Sequence, residues 1–135
     1  ILLGSDAGYN AYGSGLFTSD KMIKEKPELV QRFTNAYLKA FDYVLKNPGK
    51  TADLLAKTSP EHAKKAPVFK RQLQADVDHT FTSDTTDKSG LGAMNDDRWK
   101  ATIDILADQG VLKGKKPTVQ DVSDPTFVNK YHATN

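Results

Sequence analysis

Pro27-Glu28-Leu29-Val30-Gln31-Arg32-Phe33-Thr34-Asn35-Ala36-Tyr37-Leu38-Lys39-Ala40-Phe41-Asp42-Tyr43-Val44-Leu45-Lys46 is the stretch that decides the fold. Proline opens it, and the missing N–H costs nothing at the first helical position. Leu29, Val30, Phe33, Ala36, Tyr37, Ala40, Phe41, Val44 and Leu45 then recur at three- and four-residue steps, the period of a helix with one apolar face. Lys46 suits the negative C-terminal end of the helix dipole. The spacing predicts a long helix over residues 27–46, with Phe33, Tyr37 and Phe41 buried.

Working outward, Ser19 is an N-cap for a short helical turn over residues 20–26, its hydroxyl able to accept from an otherwise orphaned N–H. Asn47-Pro48 stops the long helix and starts another carrying Ala52, Leu54 and Leu55. Ser59-Pro60 repeats the device for a third, reaching about Val77, which Pro67 should kink or divide. Polar residues dominate 82–92, which reads as a loop. Asn95 caps a further helix with Asp96 and Asp97 in its first turn, Trp99, Thr102, Ile103 and Leu106 on its buried stripe, and Gly110 as a left-handed stop. Residues 113–116 form a solvated loop, Val119 and Val122 anchor a short turn, and Asp124-Pro125 starts a last short helix.

The first eighteen residues differ. Ile1-Leu2-Leu3 and Leu16-Phe17 are short apolar runs around Gly4-Ser5-Asp6-Ala7-Gly8-Tyr9-Asn10-Ala11-Tyr12-Gly13-Ser14-Gly15, and they read as two short strands. Strands of that length need a sheet from elsewhere. The expected fold class is therefore mainly α with two short β-strands. The opening residues also suggest a chain cut from something longer.

The 135 residues, 14.9 kDa, carry nineteen basic and seventeen acidic side chains, a net charge of +2, and a mean hydropathy of -0.57. That balance argues against a nucleic-acid or anionic-membrane partner. No apolar run nears the ~18 residues of a membrane span. Zero cysteines exclude thiolate metal sites, thiol nucleophiles and disulfides. His62, His79 and His132 share no metal-ligand spacing and are expected at the surface. Helix geometry does not set Asp76, Asp78 and His79 all on one face. Residues 84–90 lack the alternating acids and terminal glutamate of a calcium loop. No Gly-x-Ser-x-Gly elbow occurs, and Gly13-Ser14-Gly15 is neither a dinucleotide nor a phosphate-loop fingerprint. No enzyme, metal or cofactor is indicated. Tyr9 and Tyr12 among glycines fit either solute contact or core packing.

Ala7-Gly8-Tyr9, Tyr12-Gly13-Ser14-Gly15-Leu16-Phe17, the helix of Pro27-Glu28-Leu29-Val30, Phe33 and Ala36-Tyr37, then Tyr43-Val44-Leu45 with Asn47-Pro48 form an ordered series. Gly90-Leu91-Gly92-Ala93-Met94, Arg98-Trp99 and Gly110-Val111-Leu112 before Pro117 continue it. In this order the motifs resemble the C-terminal portion of periplasmic solute-binding proteins of ABC importers, in the nitrate/sulfonate/taurine and thiamine-pyrimidine-precursor (NMT1/THI5-like) family. The resemblance implies part of an α/β two-lobed periplasmic-binding-protein (type II) fold. Residues 1–18 would be inter-lobe crossover strands and a cleft-proximal loop, and 19–135 the helical C-terminal part of a lobe. It implies a periplasmic protein that captures a small organic solute for an ABC permease, with Asp6, Gly8, Tyr9, Asn10 and Tyr12 near the ligand. A synthase branch of the family keeps its reactive residues upstream, so no activity carries over. The alternative is a self-associating interaction module, and a homo-oligomer is expected if the chain is a truncation.

Overall fold

The computed structural model describes residues 4–134. A 3-10 turn, Gly4–Ala7, precedes an extended segment, and the rest is helical: α1 Asp20–Glu25, α2 Pro27–Lys46, α3 Pro48–Ala56, α4 Pro60–Lys64, α5 Ala66–His79, α6 Asp84–Ser89, α7 Asp96–Asp108, α8 Val119–Val122 and α9 Thr126–Thr134. α3 lies along α4 and α5, α2 carries α9 and touches α1 and α3, and α8 packs on α7.

The boundaries follow local chemistry. Ser19 accepts from the Met22 N–H at 3.2 Å and Ser59 from the His62 N–H at 3.1 Å. Asn95 accepts from the Arg98 N–H at 3.1 Å. Pro67 stands in the first turn of α5, so the expected third helix is divided into α4 and α5. Asn47 caps the end of α2, its amide donating to the Tyr43 carbonyl, and makes no side-chain bond to the start of α3. Gly110, at φ +68, ends α7 as a left-handed residue. Asp124 holds the Thr126 N–H at the start of α9. The polar stretch 82–92 is not all loop. It contains α6, where the Ser83 N–H donates to Thr86 Oγ1 at 2.8 Å in a capping box.

Two expectations are corrected. Among the described residues there is no strand, so the fold is not mainly α with two short β-strands, nor is an α/β two-lobed arrangement seen. The first expected strand, residues 1–3, lies outside the described residues. The second, Leu16-Phe17, is extended chain with no ladder, and Phe17 is 97% exposed. Two residues without a partner strand cannot close the hydrogen bonds that define a sheet.

The long helix α2 forms over the expected residues but turns the other way. Its buried positions are Gln31, Thr34 and Leu38, whereas Phe33 is 60% exposed, Tyr37 is also exposed and Phe41 is half-buried. Gln31 explains the polar face: its Nε2 donates to the Phe127 carbonyl and to Asn35 Oδ1, both at 2.8 Å. That ties α2 to the start of α9. Leu38 at 3% exposure, Ala52 at 1% and Ile103 at 6% are the buried apolar residues, on α2, α3 and α7 respectively. Burial is thus confined to a few positions on three helices.

Candidate functional site

Residues 10–15 run along the start of α7. The Asn95 side chain caps the helix, which leaves its own backbone N–H facing outward, and that N–H donates to the Tyr12 hydroxyl. The Tyr12 ring sits 5.5 Å from the Trp99 ring at 48°, and the Arg98 guanidinium carbon lies 5.0 Å from the Tyr12 centroid. Trp99 is held in turn by donating its indole N–H to Met94 Sδ at 3.2 Å. A Cβ at Gly15 would stand 3.7 Å from Met94 Cε, so that glycine lets the extended segment run close to Met94. A guanidinium over a ring face gains about 0.5–1 kcal/mol when partly exposed. Tyr12 is therefore the peg that joins the N-terminal segment to the helix.

Beside this peg opens a cleft of about 320 Å³ lined by Asn10, Thr85, Asn95, Asp97, Arg98 and Ala101. Most of its wall is carbon, with two amides, a hydroxyl, a guanidinium and one carboxylate set into it. Arg98 enters no ion pair among the described residues, whose ion pairs are Lys46–Asp42, Lys65–Glu61 and Lys116–Asp104. The hydrogen bond from Thr102 Oγ1 to its carbonyl, 2.9 Å, fixes its backbone without using its side chain. Five guanidinium N–H donors are thus available at the cleft for acceptor atoms.

Of the five residues singled out in the sequence, Asn10 lines this cleft and Tyr12 borders it. Asp6, Gly8 and Tyr9 belong to the preceding turn, where the Tyr9 N–H donates to the Gly4 carbonyl at 2.8 Å and Gly8 takes φ +80. Sequence reasoning missed Thr85, Asn95, Asp97 and Arg98 as site residues and assigned Trp99 to packing. Arg98-Trp99 stood among the family motifs, and that was the one signal available. A second cleft of about 440 Å³ lies where α1 meets α2, between Glu25, Lys26, Pro27, Glu28, Leu29 and Arg32. The three histidines are exposed, and no group of three metal-ligating side chains occurs among the described residues.

Residues 1–51 match the family described as NMT1/THI5 like. The riboflavin-binding protein RibY of Chloroflexus aurantiacus is 28% identical over 112 residues, which is 83% of this chain and 32% of RibY. The chain thus spans about a third of the length of that curated relative. No solved structure matches it.

Proposed function

We infer that this chain, whose matches support membership in the NMT1/THI5-like family, is a solute-binding protein whose solute sits where residues 10–12 meet α7. The observation that carries the reading is the peg itself. A segment rich in glycine and tyrosine is fastened by Tyr12 to Asn95, 83 positions away, and a cleft bearing amide, hydroxyl and guanidinium groups lies beside the join. Asn10, Thr85 and Arg98 would hold acceptor atoms of the solute, and Tyr12 positions Arg98. Asp6, Gly8 and Tyr9 flank the site from the preceding turn. Residues 1–18 then supply the ligand-proximal segment and 19–135 its helical support.

About 320 Å³ is at the small end for organic ligands, room for one polar ring system rather than a polymer. RibY is named for binding riboflavin, a solute rich in carbonyl and hydroxyl acceptors, which is the chemistry this cleft offers to receive. The solute would stabilise the docked arrangement of residues 10–15 by its differential affinity for it. The fuller role is the periplasmic binding component of an ABC importer, passing a small organic solute to a permease. No described helix is long and apolar enough to cross a membrane.

The test is calorimetric titration of the chain with riboflavin. Saturable binding that Arg98→Ala weakens at least tenfold is expected. Unchanged affinity in Arg98→Ala would remove the site from this cleft.

A second reading, self-association, rests on a different observation. The accessible surface is 10008 Å², against about 7,000 Å² for a compact monomer of this mass. Exposed apolar side chains contribute to it, among them Phe17 on the extended segment and Leu29, Phe33, Tyr37 and Tyr43 on α2.

A further inference from the structure

We propose that His132 of α9 is a positioning residue for the cleft: by holding residues 90–92 it fixes Thr85 on one wall against Arg98 on the other. The proposal deepens the solute-binding reading and rests on it. Thr85 stands on α6, whereas Asn95 caps α7 and Arg98 lies in its first turn. Among the described residues, α6 packs extensively against no other helix. A helix of six residues is not held in place by its own hydrogen bonds, so its placement comes from the chain at its two ends. Before it, the Phe81 ring rests 4.9 Å from that of Phe41 on α2. After it, residues 90–94 lead directly to Asn95, and this short link sets how far Thr85 stands from Arg98.

α9 grips that link at two points one turn apart. Val128 meets Gly92, where an added Cβ would stand 3.6 Å from both valine methyls. One turn on, the His132 ring lies over Gly90. A Cβ there would come within 2.5 Å of Cε1 and Nε2 and 2.8 Å of Nδ1, so the imidazole occupies the space that a side chain at 90 would need. Gly90, at φ +90, closes α6 by donating its N–H to the Thr86 carbonyl at 2.8 Å. His132 Nε2 lies 2.9 Å from the Leu91 carbonyl oxygen. A carbonyl only accepts, so Nε2 carries the proton and donates. The Ala93 N–H then donates to the Gly90 carbonyl at 3.1 Å, and two residues later Asn95 caps α7. α9 is itself anchored, because Gln31 of α2 donates to the Phe127 carbonyl. Support thus passes from α2 through α9 and His132 to the link, and from the link to both walls. A binding constellation keeps its geometry only when the residues behind it are held in turn.

Calorimetric titration of the full chain and its variants, with riboflavin as the probe, tests this alongside amide NMR of the same proteins without ligand. His132→Ala should weaken binding at least fivefold. His132→Gln, whose amide N–H can donate to the same carbonyl, should bring affinity back to within twofold of the wild type. Lys130→Ala, exposed on another face of α9, should change nothing. Without ligand, His132→Ala should shift the Thr85, Leu91 and Arg98 amides while the Gln31 side-chain amide stays in place, because α9 remains docked on α2. Unchanged binding in His132→Ala overturns the proposal and leaves the cleft as the solute site. A loss that His132→Gln does not rescue, or that comes with a displaced Gln31 amide, makes His132 ordinary support for α9 and also overturns it. A wild type that does not bind riboflavin overturns the solute reading itself, and the proposal with it.

Discussion

Leu38→Ala and Phe33→Ala lie five residues apart on α2 and should differ several-fold in their effect. Leu38 is 3% exposed and fills the space between α9 and the turn before α7. A Cβ placed on Gly92 would stand 2.9 Å from its Cδ2 and 3.6 Å from both Val128 methyls. Removing three carbons there forfeits about 2.4 kcal/mol at ~0.8 kcal/mol per buried carbon, and the cavity left behind adds to it. The expected loss is about 3 kcal/mol. Phe33 keeps 60% of its surface in water, so at most 40% of about 200 Å² is buried. At ~25 cal/mol per Å² that is an upper bound of about 2 kcal/mol, which alanine's better helix propensity reduces toward 1. Urea unfolding followed at 222 nm measures both, at a concentration low enough that the midpoint no longer depends on it. A Phe33→Ala loss equal to that of Leu38→Ala would show that the aromatic stripe, not the Gln31–Leu38 face, is the inward side of α2.

Gly92→Ala should cost more than Gly110→Ala in the same assay. Both sites have positive φ, +85 and +68, but only at Gly92 does the new methyl collide, with Leu38, so about 2–3 kcal/mol is expected against about 1. Tyr12→Phe removes the acceptor of the Asn95 N–H, a bond of about 0.5–1.5 kcal/mol. Faster amide exchange at Asn95 with unchanged overall helicity is expected, and unaltered exchange would mean that the peg does not form. The Asp121 carboxylate is held below its ordinary 3.8, first by the Thr118 N–H and then by the Thr118 hydroxyl, each at 2.8 Å. A depressed folded pKa gives stability that is present above 3.8 and lost as pH falls through the folded value. The Thr118 amide shift should therefore titrate below pH 3.8, and Asp121→Asn should abolish that titration.

Local devices were legible because they need only neighbours in sequence. Ser19, Ser59, Asn95, the helix-opening prolines, Pro67 and Gly110 act within one turn of themselves. α6 escaped because its capping box uses Thr86 where the usual glutamate or glutamine would stand, in a stretch with almost no apolar periodicity. The inward face of α2 was not legible either. Periodicity shows that a helix has an apolar side, but which side packs depends on partners such as Phe127, whose carbonyl engages Gln31 96 positions away. Leu16-Phe17 was misread for the same reason, since strand character is a property of a pair. Tyr12 was singled out through its glycine-rich setting and the family resemblance, and Asn10 through the resemblance alone. Their neighbours Arg98 and Thr85 were invisible until the chain folded back on itself.

The central claim is that residues 10–12 and the start of α7 together hold a small organic solute. Two-dimensional amide NMR of the labelled chain during addition of riboflavin tests it most directly. The account predicts saturable shifts concentrated at Asn10, Tyr12, Thr85, Asn95 and Arg98, with the α1–α2 junction unmoved. Shifts centred on Glu25 and Arg32, or a spectrum indifferent to riboflavin, would contradict it.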